Sequence, residues 1–217
     1  MSFFEPPPPP PEPPEAHVQP VWVGPPDNMF GVPFPLSVVL ARTGDVALHV
    51  HSGLSYPAGI EFSLQLLQRE HPRDHLHGPI HDWHRGRHEG ALEPHVLRFG
   101  IELADGRKAT VFDAFPSGLE GEPGGPVLVQ RGGGGGDRRY DMRFWLWPLP
   151  PPGALAFVAE WPAQGVALTR ESVDTKPILE AAARVEELWS DGSPSGGSGG
   201  FTTQVMTARR TPAEPGT

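Results

Sequence analysis

Cysteine is absent from the 217 residues, which excludes disulfides, thiolate metal ligands and a cysteine nucleophile. Lysine is scarce: Lys108 and Lys176 stand against 15 arginines. A formal net charge of −9 excludes a general nucleic-acid binder, whose phosphate contacts need a basic surface. No apolar run approaches membrane-spanning length. The N-terminus lacks the basic-then-apolar order of a secretory leader, because Phe3 and Phe4 run straight into Glu5 and proline. A cytoplasmic protein with no membrane contact is therefore expected. Catalytic signatures are missing as well. There is no Gly-x-Ser-x-Gly elbow, no Walker loop and no dinucleotide-binding glycine pattern, and Gly132 to Gly136 lack the Lys-Ser/Thr that would make them a phosphate loop.

Proline and glycine, in contrast, are plentiful and mark the boundaries. Residues 1–18 hold Pro6 through Pro11 plus Pro13 and Pro14, which predicts a disordered polyproline II tail. Residues 190–217 form a second disordered tail, rich in Ser, Gly and Pro. Between them, residues 19–189 suffice for one domain with its own core.

Within that domain, period-two alternation dominates. Val46, Leu48 and Val50 oppose Ala47, His49 and His51; Ile60, Phe62, Leu64 and Leu66 oppose Glu61, Ser63 and Gln65. Such alternation marks half-buried strands. With Ser52 to Gly59 as the connecting loop, the two strands form a hairpin in which the numbers of paired residues have an even sum; a sum of 112 sets His51 across from Glu61. Leu97, Phe99, Ile101 and Leu103 line the inner face of a further strand. A two-residue turn at Asp105-Gly106 would carry Lys108 into the core. A three-residue turn, Ala104-Asp105-Gly106 with Gly106 left-handed, pairs Leu103 with Arg107, Ile101 with Ala109 and Phe99 with Val111, and it keeps the lysine outside. Further strands are expected over about 36–41, 127–131, 139–147, 154–160 and 165–170, with Gly132 to Gly136 as an unstructured loop tip. The period then changes to helical over about 175–189, through Ile178, Ala181, Ala182, Val185, Leu188 and Trp189, with Asp174 or Thr175 as N-cap and Pro177 in the first turn. The fold class is mainly β: an antiparallel β-sandwich of about seven or eight strands with one C-terminal α-helix.

The stretch FWLWPLPPPGALAFVAEW (Phe144 to Trp161), the helical segment Val173 to Trp189 and the opening Trp22 to Asn28 resemble an uncharacterised actinobacterial protein family. That resemblance implies neither an activity nor a site.

Three groups of residues are candidates for function. Seven of the ten histidines fall at 71, 75, 77, 81, 84, 88 and 95, within and just after an insertion spanning about 69–94. On a short helix, His81, His84 and His88 share one face and would offer three imidazoles to zinc or nickel. A polar, tolerant loop, or a pH-sensitive one, accounts for the same histidines. His49 and His51, with Glu61, form a strand-borne constellation comparable to the metal site of cupins, although the glutamate spacing departs from the cupin pattern. Trp145, Trp147 and Trp161 offer an aromatic platform for a sugar or a protein, or else core packing. The expectation is a non-enzymatic protein-binding or scaffold module with no cofactor, its proline-rich tail either docking a partner or serving as a stiff, solvated spacer. The alternatives are a zinc- or nickel-binding protein or cupin-like metalloenzyme, and a self-associating structural subunit.

Overall fold

The computed structural model describes residues 19–70, 92–113, 122–136 and 138–189. Nine strands occur among them: β1 (Val32–Arg42), β2 (Val46–Ser55), β3 (Ile60–Gln68), β4 (Arg98–Glu102), β5 (Lys108–Thr110), β6 (Val127–Gly136), β7 (Arg139–Trp147), β8 (Ala154–Trp161) and β9 (Val166–Asp174). One α-helix follows, α1 (Lys176–Ala182). The strands form two antiparallel sheets in a sandwich-like arrangement, one of five strands in the order β1-β2-β3-β7-β6 and one of four in the order β5-β4-β8-β9. Among the described residues no helix is long and apolar enough to cross a membrane.

The alternation read from the sequence sets which side chains meet. Val46, Leu48, Val50, Ile60, Phe62, Leu64, Leu66, Met142, Phe144 and Leu146 from the five-stranded sheet are buried against Leu97, Phe99, Ile101, Leu155 and Phe157 from the four-stranded one. An aromatic cluster sits at the centre. The Phe62 ring lies 5.7 Å from Phe144, 5.3 Å from Phe157 and 6.3 Å from Phe99, centroid to centroid, within the range in which aromatic pairs attract. The turn at 104–106 has the three-residue form. The Leu103 amide donates to the Arg107 carbonyl at 2.8 Å, Ile101 pairs with Ala109, and the Val111 amide donates to Phe99 at 3.1 Å. Gly106 takes φ +84°, and Lys108 stays outside.

Four expectations need correction. The β2–β3 register opposes His51 to Ser63 and Leu54 to Glu61, so His51 and Glu61 do not pair. The cause is that β2 continues to Ser55 and a tight turn closes between Tyr56 and Gly59; a bulge between His51 and Leu54, with Ser52 at φ 57°, then shifts the register by one residue. Gly132 to Gly136 are strand rather than loop, paired with Arg139 to Arg143 of β7 after a second bulge. Backbone ladders do not require side chains, so a glycine run beside a well-packed strand can extend the sheet. The helix stops at Ala182 instead of Trp189, because the following segment is drawn onto the N-terminal one: Leu188 N–H donates to the Asn28 carbonyl at 2.8 Å and Glu187 bridges Met29. Finally, the last strand runs on to Asp174, whose carboxylate accepts from the Lys176 amide at 2.9 Å. Thr175 is the N-cap, but its hydroxyl serves another loop, donating to Pro151 at 3.0 Å and accepting from Gly153 N–H at 2.9 Å.

Candidate functional site: two outward sheet faces

On the five-stranded sheet, the odd-numbered residues of β3, of β7 and of β2 as far as the bulge after His51 face away from the core. Register aligns His49 with Gln65 and Gln65 with Asp141. The His49 and His51 rings stack at 5.1 Å. Ser37 Oγ is 3.0 Å from His49 Nε2, and Ser52 Oγ is 2.6 Å from His51 Nδ1. Asp141 receives Gln65 Nε2 at 2.6 Å and Arg139 Nε at 3.3 Å, with His51 Nε2 3.5 Å away. Burial, followed by the neighbouring His51, lowers the His49 pKa. Burial opposes ionisation of Asp141, but the hydrogen bonds from Gln65 and Arg139 outweigh it and hold the carboxyl below its ordinary range. The result is a polar row whose members bond largely to one another, with the buried His51 Nε2 left without a hydrogen bond among the described residues. Glu61 is not part of it; it lies opposite Trp145 on β7 and Leu54 on β2. Among the described residues no three His, Asp or Glu side chains are grouped to hold a metal ion. His81, His84 and His88 lie outside the described residues.

The three tryptophans do not form one platform. Trp145, fully buried, is covered on the outer face by the N-terminal segment; its indole N–H donates to Val21 O at 3.0 Å and its ring meets Tyr56 edge-on at 5.5 Å. Trp147 is half-buried against Trp22, at 6.3 Å. Trp161 belongs to the sandwich core and donates to the His95 carbonyl at 2.8 Å.

The opposite outward face, on the four-stranded sheet, carries a groove of about 380 Å³. Its floor is formed where Gly100 of β4 pairs with Val158 of β8. Phe112 stands on the β5 side and Leu168 on the β9 side. Leu168 is 71% exposed; it sits in the irregularity between the Ala159–Thr169 and Trp161–Val166 pairs, and such bulges re-aim side chains. Ion pairs close both ends. Arg98 pairs with Glu160 at one, and Arg170 grips Glu102 at the other with bonds of 2.5 and 3.1 Å. The Arg170 hydrogen bond is the main cause holding the Glu102 carboxyl below its usual range, and it raises Arg170 in turn.

The sequence signal for this groove was available but faint. Gly100 and Val158 occupy outward positions where alternation calls for polar residues, and Leu168 breaks the pattern of the last strand. Each alone is an ordinary exception. Only the strand order β5-β4-β8-β9 brings the three into one surface.

No protein-family model matches the chain, and neither the curated proteins nor the solved structures include a match.

Proposed function

We propose that the protein is a non-enzymatic binding module that recognises a protein partner through the outward face of its four-stranded sheet. One observation carries this reading: an apolar groove of about 380 Å³ bounded by charged pairs. An apolar centre inside a charged rim is the anatomy of a protein-recognition patch, where one anchoring side chain is desolvated and the rim excludes water. Among the described residues the groove is open along its outer side. Sites for small ligands enclose most of the ligand surface, whereas a partner protein supplies the missing cover itself.

Selection from a random peptide display library on the immobilised protein tests the proposal. The enriched peptides are expected to share an apolar anchor and to bind the Leu168→Glu variant at least about tenfold more weakly, a loss of about 1.4 kcal/mol. Val39→Glu, at a 62% exposed position on the other sheet, is expected to leave binding unchanged. Selected peptides that bind Leu168→Glu as well as the parent protein would overturn the proposal.

A further inference from the structure

The two ends of the groove differ in charge, and the difference selects among partners. At one end Arg98 and Glu160 neutralise each other. At the other, a single carboxylate faces two cations. Glu102 already has both oxygens bonded by Arg170, and Lys108 Nζ stands 3.6 Å from the same group with its side chain 68% exposed. Among the described residues that line the groove, Arg98, Lys108 and Arg170 outnumber Glu102 and Glu160, a local positive excess on a chain of net charge −9. Of the neighbouring carboxylates, Asp105 pairs with Arg107 and Asp113 accepts from the Thr110 amide at 2.5 Å; neither these nor Glu171 line the groove.

Spacing gives this excess a meaning. The floor at Gly100 and the cationic end at Glu102 are two residues apart on β4, about 6.6 Å along an extended chain. In an extended partner segment, side chains two residues apart point the same way at the same distance. Resting on the groove as the recognition surface, we infer that the partner segment is extended, with an apolar residue seated over Gly100 and Val158 and an acidic residue two positions away that pairs with Lys108. The electrostatics of the whole molecule oppose an acidic ligand, so any preference for one must arise locally, at this end of the groove.

Fluorescence anisotropy with two labelled nine-residue peptides tests the inference. One carries Glu-x-Leu-x-Glu at its centre and the other Lys-x-Leu-x-Lys, so chain direction does not matter. The acidic peptide is expected to bind about tenfold more tightly at low ionic strength, the difference shrinking with salt. Lys108→Glu is expected to abolish or reverse the preference. Lys176→Glu, which makes the same change in net charge on α1, is expected to preserve it. Equal affinity for the two peptides, or a preference that survives Lys108→Glu, would overturn the acidic-partner inference while leaving the groove as the surface. Failure of both peptides to bind, or binding of both that is indifferent to Leu168→Glu, would overturn the two readings together.

Discussion

Phe62→Ala is expected to destabilise the protein by about 3–5 kcal/mol, the range for truncating a fully buried aromatic. Phe62 has no accessible surface and contacts rings from both sheets: Phe144, its register partner on β7, and Phe99 and Phe157 across the sandwich. Removing it leaves a cavity at the point where the two layers meet, and the neighbours, held by two ladders, can collapse into it only partly. For a domain of this size the melting midpoint should fall by roughly 6–20 °C, and the urea midpoint should fall with it. Phe62→Leu, which keeps most of the volume, should cost less than half as much. A midpoint shift of only a few degrees for the alanine variant would mean that the two sheets do not pack through this cluster.

Trp145→Ala should cost a similar amount, about 3–5 kcal/mol, but by a different route. Trp145 faces away from the sandwich core, and its burial depends on the N-terminal segment that crosses it. The indole N–H is held by Val21 O, the Tyr56 ring abuts its edge, and Arg131 ties the same segment down through Val23 O at 3.1 Å. Gly59 belongs to the same assembly: a Cβ there would lie 2.8 Å from the Trp145 ring and 2.3 Å from the Leu146 carbonyl, so the hairpin turn can close against the indole only with glycine. The alanine variant should therefore lose stability and also expose the segment around Trp22, which limited chymotrypsin digestion reads as early cleavage there. Trp145→Phe keeps the packing and loses the hydrogen bond, so it should cost about 1–2 kcal/mol. Unchanged protease resistance in Trp145→Ala would show that the segment is held by other contacts.

These two residues also show how far the sequence could be read. Phe62 reads as inward because its neighbours Ile60, Leu64 and Leu66 share its parity, and a sheet with one buried face enforces parity strictly. The same physics excluded Lys108 from the core and thereby selected the three-residue turn at Ala104 to Gly106. Trp145 has the outward parity of a surface residue, and its burial comes from Val21 and Tyr56, remote in sequence, so local pattern could not reveal it. The misplaced features share that origin. The bulge at Ser52 depends on how β2 meets β3, the glycine strand depends on β7 beside it, and the end of α1 depends on Asn28 and Met29 competing for the chain near Glu187. The groove is the clearest case. Gly100, Val158 and Leu168 become one surface only after β4, β8 and β9 are ordered side by side, and that ordering is a tertiary fact. The polar row of His49, His51 and Asp141 is half legible: the histidines stand out in the sequence, but Asp141 rather than Glu61 is the carboxylate that the register brings to them.

Mapping backbone amide chemical shifts on the ¹⁵N-labelled protein as a selected peptide is titrated in shows whether the outward face of the four-stranded sheet is the recognition surface. The perturbed amides are expected to cluster at Arg98 to Glu102, Lys108 to Thr110, Val158 to Glu160 and Leu168 to Arg170, with the His49, Gln65 and Asp141 row unmoved. Shifts concentrated on that row, with the groove amides silent, would contradict it.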